Sequence, residues 1–326
     1  MRIPPKYKIT SDIVKIISEI DSYQKLFSNL DIPKILKEKI QRTSLLKSSL
    51  YSARIEGNLL TLDELRNTKK TIAKTEILNI SKAYSHLEKV KNIKIDHKFI
   101  KNIHQLVLNK ISPDAGNFRK EASAIFNEAG IAIYFSPIPE RIKEYLDTLI
   151  RYIYDDKEKF PLIKAFITHL IFEKIHPFID GNGRTGRLLV SAVLKLEKYN
   201  ISLMIPFDQY LDNYKSDYYH YLSEGLKNPE AYLIFMLNGY LQESIKIAEE
   251  IKRNLNKKET LYLTPRLEEI LNTIKDHKIV TLDFIKRRFL KVPGRTLRYD
   301  LKKLQNLKLI IKIGKTKGSY YTSLSP

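Results

Sequence analysis

Apolar residues recur at helical spacing through most of the chain. Between residues 11 and 50, Ile13, Ile16, Ile17 and Ile20 are followed by Leu36, Ile40, Leu45 and Leu46, the three-and-four periodicity of helices with one buried face. Asn58-Leu-Leu breaks the pattern. A new helix is expected from Thr61, where Thr61 and Glu64 stand three apart as a capping box. Residues 76–91 and 96–109 predict two more helices. The texture then changes. Ile111-Ser-Pro-Asp-Ala-Gly-Asn-Phe-Arg119 reads as a loop, and residues 122–137 read as a short hairpin with apolar runs flanking a turn at Asn127-Glu-Ala-Gly130.

Pro137 and Pro139 stop the second strand and lead into a helix from 139 to about 153. Pro161 suits the first turn of a strongly apolar helix over 161–175, with Leu162, Phe166, Ile167, Leu170 and Ile171 on its buried side. The next apolar helix is expected from Gly183 or Arg184. Residues 206–250 are helical and rich in aromatics (Phe207, Tyr210, Tyr214, Tyr218, Tyr219, Tyr221), which are expected to pack between helices. Residues 251–264 end that block and form a linker. Beyond it, helices are expected over 265–275, over 281–289 and from Val292-Pro-Gly-Arg-Thr onward, with Leu297, Leu301 and Leu304 on one face of the third. Strands at 309–313 and 319–322 flank a turn at Gly314–Gly318. Three helices and a basic hairpin predict a winged helix-turn-helix.

Composition narrows the chemistry. There is no cysteine, which removes disulfides, thiolate nucleophiles and sulfur-ligated zinc, and the seven histidines show no paired metal-ligand spacing. No apolar run is long enough to span a bilayer, and Met1-Arg-Ile-Pro-Pro is not followed by a signal-peptide core, so a cytoplasmic protein without a membrane partner is expected. Of the net charge of +20, half lies in the last 66 residues, which hold 15 Lys+Arg against 5 Asp+Glu. That tail could contact nucleic acid through Arg295, Arg298, Lys302, Lys303, Lys315 and Lys317, dock another protein or copy, or act as a passive cap.

The segment His176-Pro-Phe-Ile-Asp-Gly-Asn-Gly-Arg-Thr-Gly-Arg187 joins two apolar helices. Gly181 and Gly183 let a ligand approach the main chain, and their N–H groups, with those of the following first helical turn, make an anion hole. Arg184 and Arg187 stand three apart and reach the same side. Such a site suits a di- or triphosphate. Asp180, the one acid among these groups, would be repelled by phosphate unless a cation lay between, and magnesium is the natural bridge. His176 titrates near neutrality and can accept a proton from an attacking hydroxyl. Phe178 is expected to anchor the loop in the core.

This stretch resembles the Fic-family motif H-P-F-x-D/E-G-N-G-R-x-x-R at every defined position. The resemblance implies a mainly α protein over about residues 10–250, a Fic helical core with a small β-hairpin flap over 125–137; the winged helix-turn-helix that follows is a separate likeness, read from the pattern of the tail. The Fic resemblance implies ATP and Mg2+ and transfer of AMP to a Ser, Thr or Tyr hydroxyl of a target protein. It gives His176 as general base and Asp180 as magnesium ligand. Gly181, Asn182, Gly183 and Arg184 then hold the α and β phosphates, and Arg187 the γ phosphate. The intact Gly181-Asn182-Gly183 speaks against the kinase-like Doc branch. Tyr210 is a candidate for the adenine side, although Tyr214 and Lys215 stand where the family often has Asn-Arg.

Ser52-Ala-Arg-Ile-Glu56-Gly57 resembles the family's inhibitory motif S/T-x-x-x-E-G/N, placed before the core. Glu56 paired with Arg187 would deny that arginine to the γ phosphate. The expected organisation is an N-terminal helical domain with the inhibitory helix over 1–110, a catalytic core over 111–255 and a basic domain over 260–326. Two other functions stay open: a DNA-binding regulator whose core senses nucleotide, and an enzyme that both adds and removes AMP.

Overall fold

The computed structural model describes all residues except 31, 68, 70, 127–131, 200–201, 257–262, 315–318 and 325–326. The expected flap turn at 127–130 and the wing lysines Lys315 and Lys317 fall outside the described residues. The chain divides into two compact units, residues 1–32 with 40–256 and residues 33–39 with 257–326. Among the described residues no helix is long and apolar enough to cross a membrane.

The larger unit is helical. Helices α1 (Ser11–Asn29) and α2 (Lys34–Ile55) are followed by α3 (Leu62–Asn67), α4 (Ile72–Lys89) and α5 (His97–Val107). The Thr61 and Glu64 side chains each accept from the other's backbone N–H, so the capping box forms ahead of α3. Strands β1 (Ala124–Phe126) and β2 (Ala132–Phe135) pair antiparallel, with Ala124 opposite Phe135 and an irregularity between Ile125 and Phe126. A 3-10 turn at Pro139–Arg141 leads into α6 (Ile142–Ile153), then α7 (Pro161–Ile175) and α8 (Asn182–Leu196). The aromatic-rich block is three helices, α9 (Phe207–Asn213), α10 (Lys215–Glu224) and α11 (Pro229–Asn256).

Helix α7 is the axis of this unit. The sequence pattern assigns it one buried side, but every residue from Leu162 to Ile175 is buried, because α6, α8 and α11 all pack against it. Each large apolar side chain so enclosed contributes roughly 1.5–3 kcal/mol. Three of its buried polar residues find partners. Lys164 pairs with Glu197 at 2.6 Å, Lys174 donates to the Ser223 carbonyl at 3.0 Å, and the His169 ring meets the Tyr218 hydroxyl at 2.9 Å.

The smaller unit contains α12 (Pro265–His277), β3 (Ile279–Thr281), α13 (Leu282–Arg288), α14 (Gly294–Asn306), β4 (Ile310–Ile313) and β5 (Tyr320–Ser323). Its sheet runs β3-β5-β4, antiparallel throughout. The three-residue strand β3 is absent from the sequence reading, since so short a segment shows no alternation. Leu267, Ile270, Ile274, Val280, Ile285, Leu297, Leu301, Leu304 and Ile310 form the core.

Candidate nucleotide site

Helix α7 must end where it does. Pro177 has no N–H to continue the ladder, and His176 turns left-handed (φ 48°, ψ 60°) as the C-cap, its own N–H still bonded to the Phe172 carbonyl at 2.9 Å. The loop that follows is tied down at Phe178, whose fully buried ring stacks on His104 at a centroid distance of 3.6 Å. Asn182 closes the loop: its side-chain oxygen accepts from the Phe178 N–H at 2.9 Å and its amide donates to the Phe178 carbonyl at 2.8 Å. The Asn182 side chain is therefore spent on the loop itself. Gly181 takes the left-handed turn (φ 77°) that starts α8, against Leu108 and His104. The first N–H groups of α8 have no acceptor within the helix.

His176 is largely buried, and its Nδ1 lies 3.3 Å from the Glu173 carbonyl. A carbonyl only accepts, so this contact places the ring proton on Nδ1 and leaves the Nε2 lone pair free. Burial lowers the imidazole's pKa below its ordinary value, with Arg119 adding to the effect and the Glu173 contact opposing it. His104 plays a supporting part. Its Nδ1 accepts from the Gly116 N–H at 2.8 Å, so its Nε2 donates to the Asp180 carbonyl at 2.8 Å, and burial holds it neutral with a pKa lowered to about 4.

Both loop arginines are engaged by carboxylates. Arg184 binds Glu76 and, at 2.6 Å, Asp180. Arg187 is 3% exposed. Its Nε donates to the Ser52 hydroxyl at 2.9 Å, and its terminal nitrogen donates to the Ser52 carbonyl at 2.8 Å and to Glu56 Oε1 at 3.0 Å. Asp208 lies 3.3 Å from the same Nε and accepts from the Tyr84 hydroxyl at 2.9 Å. Burial alone would lower the Arg187 pKa, but Glu56, Tyr218 and Asp208 reverse this and hold it well above its ordinary value. Burial raises the Asp208 pKa, with Arg187 opposing.

Glu56 sits on the turn just past the end of α2, where Gly57 (φ 97°) donates to the Arg54 carbonyl. A Cβ placed on Gly183 would lie 2.3 Å from Glu56 Oε1. The carboxylate thus rests against the glycine at the start of α8, where the anion hole is expected. Asp180 is the loop's exposed carboxylate, and no group of three or more potential metal ligands occurs among the described residues.

Most of the residues named from sequence gather here: Ser52, Glu56, Gly57, His176, Asp180, Gly181, Asn182, Gly183, Arg184 and Arg187. Tyr210 does not open onto a free surface; its ring is buried on Gly239 and packs against Tyr214 and Phe235 at 4.6 and 5.4 Å. Arg295, Arg298, Lys302 and Lys303 belong to the smaller unit, exposed on α14 opposite Leu297, Leu301 and Leu304. Sequence reasoning missed Glu76, Asp208, Tyr84 and His104, which carry no local motif. It also passed over His169 and Glu173, although two ionisable residues four apart inside so apolar a helix were a visible signal.

Residues 94–194 match the model of the Fic/DOC family. The Protein adenylyltransferase Fic of Drosophila melanogaster is 27% identical over 232 residues, covering 65% of this chain and 45% of that protein. The Drosophila mojavensis protein of the same name is 26% identical over 232 residues, with 65% and 44% coverage. The chain thus spans less than half the length of these curated relatives. Among solved structures, a Fic family protein from Desulfovibrio desulfuricans G20 superposes with a TM-score of 0.67 at 21% identity, covering 99% of this chain and 98% of that one. Fic-1 from C. elegans gives 0.61 at 20% identity, with 74% and 73% coverage. At such identities the structural likeness speaks for the fold.

Proposed function

We propose that this chain, whose residues 94–194 match the Fic/DOC family model, is a Fic-family enzyme that transfers AMP from ATP to a protein hydroxyl and is held back by its own Glu56. One observation carries the reading: Glu56 occupies both Arg187 and the space over Gly183, two features that would receive the ATP phosphates. The target hydroxyl oxygen attacks the α phosphorus, and His176 Nε2 takes the hydroxyl proton. The bond from the α phosphorus to the bridging oxygen breaks and pyrophosphate leaves. The first-turn N–H groups of α8 and Arg184 orient the α and β phosphates, and Arg187 orients the γ phosphate. A single accessible carboxylate fits magnesium, which takes few ligands from the protein, so Asp180 would hold Mg2+ and the ion would supply neutralisation of phosphate charge.

Removing Glu56 should release the enzyme. Glu56→Gly is expected to raise self-labelling from α-labelled ATP by about tenfold or more, a change of about 1.4 kcal/mol in barrier. Labelling that stays at the wild-type level would reject the brake. His176→Ala in that background is expected to lower transfer by about 10²–10⁴-fold, the usual contribution of a general base. Undiminished labelling would remove His176 from that role.

A second reading concerns the smaller unit. The exposed basic face of α14 opposite its apolar face supports a winged-helix module that contacts nucleic-acid phosphates. A DNA-binding regulator that uses the Fic core to sense nucleotide would bind DNA yet transfer no AMP even as Glu56→Gly.

A further inference from the structure

Arg119 lies outside the loop that carries the chemistry, on the segment between α5 and β1, yet it is only 3% exposed. Its guanidinium faces backbone carbonyls. Nε donates to the His176 carbonyl at 2.7 Å, and one terminal nitrogen donates to the Glu121 carbonyl at 2.7 Å. The other terminal nitrogen donates to the carbonyls of Pro137 and Ile175. The Arg119 N–H itself donates to the Pro177 carbonyl at 2.9 Å. No carboxylate lies within ion-pair distance of Arg119 among the described residues.

A buried cation without a counter-ion is unfavourable unless oriented dipoles replace water. Here they do. Ile175 ends α7 and His176 caps it, so the guanidinium sits where the helix presents unpaired carbonyls and the negative end of its dipole. The same group reaches the two ends of the β1–β2 hairpin, at Glu121 before β1 and Pro137 after β2. One planar fork thereby fixes three things together: the left-handed turn that aims the His176 ring, the entry to the hairpin and its exit.

We propose that Arg119 is a positioning residue that couples the hairpin to the base, holding His176 in line for proton abstraction. The proposal rests on the reading of His176 as the base of AMP transfer. It makes a statement about alignment and not about nucleotide affinity, because Arg119 touches none of the groups assigned to the phosphates.

The test uses the full chain carrying Glu56→Gly, with Arg119→Met and Arg119→Lys added separately. Arg119→Met should lower kcat for AMP transfer by about 10–100-fold, the scale expected of a misplaced catalytic group, and leave KM for ATP within about twofold. Arg119→Lys, which keeps the charge but loses the fork, should recover part of kcat. The imidazole offers an independent readout by NMR titration, its signals identified by their loss in His176→Ala. The charged groups that act on it are Arg119 on the loop before β1, Glu56 after α2 and Asp180 on its own loop. Deleting the Arg119 charge should raise the His176 pKa, moving the acidic limb of the rate profile to higher pH.

An unchanged kcat, a raised KM for ATP alone, or a His176 pKa that does not move would overturn the proposal. So would a fall in kcat fully accounted for by the unfolded fraction at the assay temperature. If the Glu56→Gly parent shows no transfer, the enzymatic reading fails instead, and the NMR titration still decides whether Arg119 controls the His176 environment. Should Arg119→Met not fold, Arg119→Lys carries the same kcat and KM comparison.

Discussion

Glu56 and Gly183 show how one side chain and one missing side chain define a state. The carboxylate can rest over the start of α8 because residue 183 has no Cβ. Glu173 and His169 are a second pair whose environment decides their charge. Their side chains lie 3.9 Å apart, both buried, and burial moves each away from its charged form: Glu173 up to about 8, His169 down to about 3. At neutral pH they are a protonated acid beside a neutral imidazole, not an ion pair. The linkage to stability has opposite signs. Glu173 keeps its proton when folded and loses it when unfolded above its ordinary value of 4.5, so its contribution declines as pH rises from there to about 8. His169 stays neutral when folded while the unfolded ring protonates below 6.5, so its contribution declines as pH falls from 6.5 toward about 3. Denaturant unfolding between pH 6.5 and 8 should therefore show falling stability in the wild type, with a slope of up to about 1.4 kcal/mol per pH unit from this group. Glu173→Gln should flatten that slope; an identical slope in the variant would mean that Glu173 is already ionised in the folded protein.

The element that matters most to the proposed restraint is α2. Its apolar pattern is weak, yet it carries a buried stripe of small polar residues, Ser44, Ser48, Ser49 and Ser52. Ser52 meets Arg187 through both its hydroxyl and its carbonyl, Ser48 and Ser52 oppose the upward shift that burial gives the Asp208 pKa, and Glu56 follows one turn later. The helix thus delivers a scaffold for Arg187 as well as a carboxylate. Ser52→Ala removes the bond to Arg187 Nε and should lower stability by about 1 kcal/mol, read from denaturant midpoints. In the Glu56→Gly background it should also raise KM for ATP by about fivefold, the kinetic equivalent of the same energy, with kcat little changed. An unaltered KM would show that Asp208 and the residue-52 carbonyl suffice to hold the arginine.

At the scale of the whole molecule, charge is unevenly shared: the last 66 residues hold half the excess. On α14 the exposed Arg295, Arg298, Lys302 and Lys303 face away from the unit's core. If these four contact DNA phosphates, log affinity should fall with log salt at a slope of about −3 to −4. Replacing Arg298 and Lys302 by Glu should abolish a gel shift and leave AMP transfer intact. A salt-insensitive complex, or one indifferent to both substitutions, would point to protein docking by this unit.

The loop from His176 to Arg187 was legible in the sequence because its chemistry is local. Helix end, left-handed turn, glycines and helix start are consecutive, so backbone geometry and residue type together imply an anion site. The capping box at Thr61 and the turns around Pro137 and Pro161 were legible for the same reason, and the helical periodicity followed from one-sided burial. Apart from Ser52 and Glu56, which carry a motif of their own, what faces the loop was not. Asp208, Glu76 and Arg119 are single ionisable residues in segments with no motif, and only the packing of α4, α9 and the loop before β1 around α7 and α8 brings them to Arg187, Arg184 and His176. The sequence did not say that the Asn182 side chain closes the loop on Phe178, which leaves its main chain for phosphate. It assigned α7 one buried face, whereas the helix is enclosed on all sides. Periodicity reports how much of a helix is apolar, but desolvation and pairing depend on what surrounds it, and that is settled only when the chain folds.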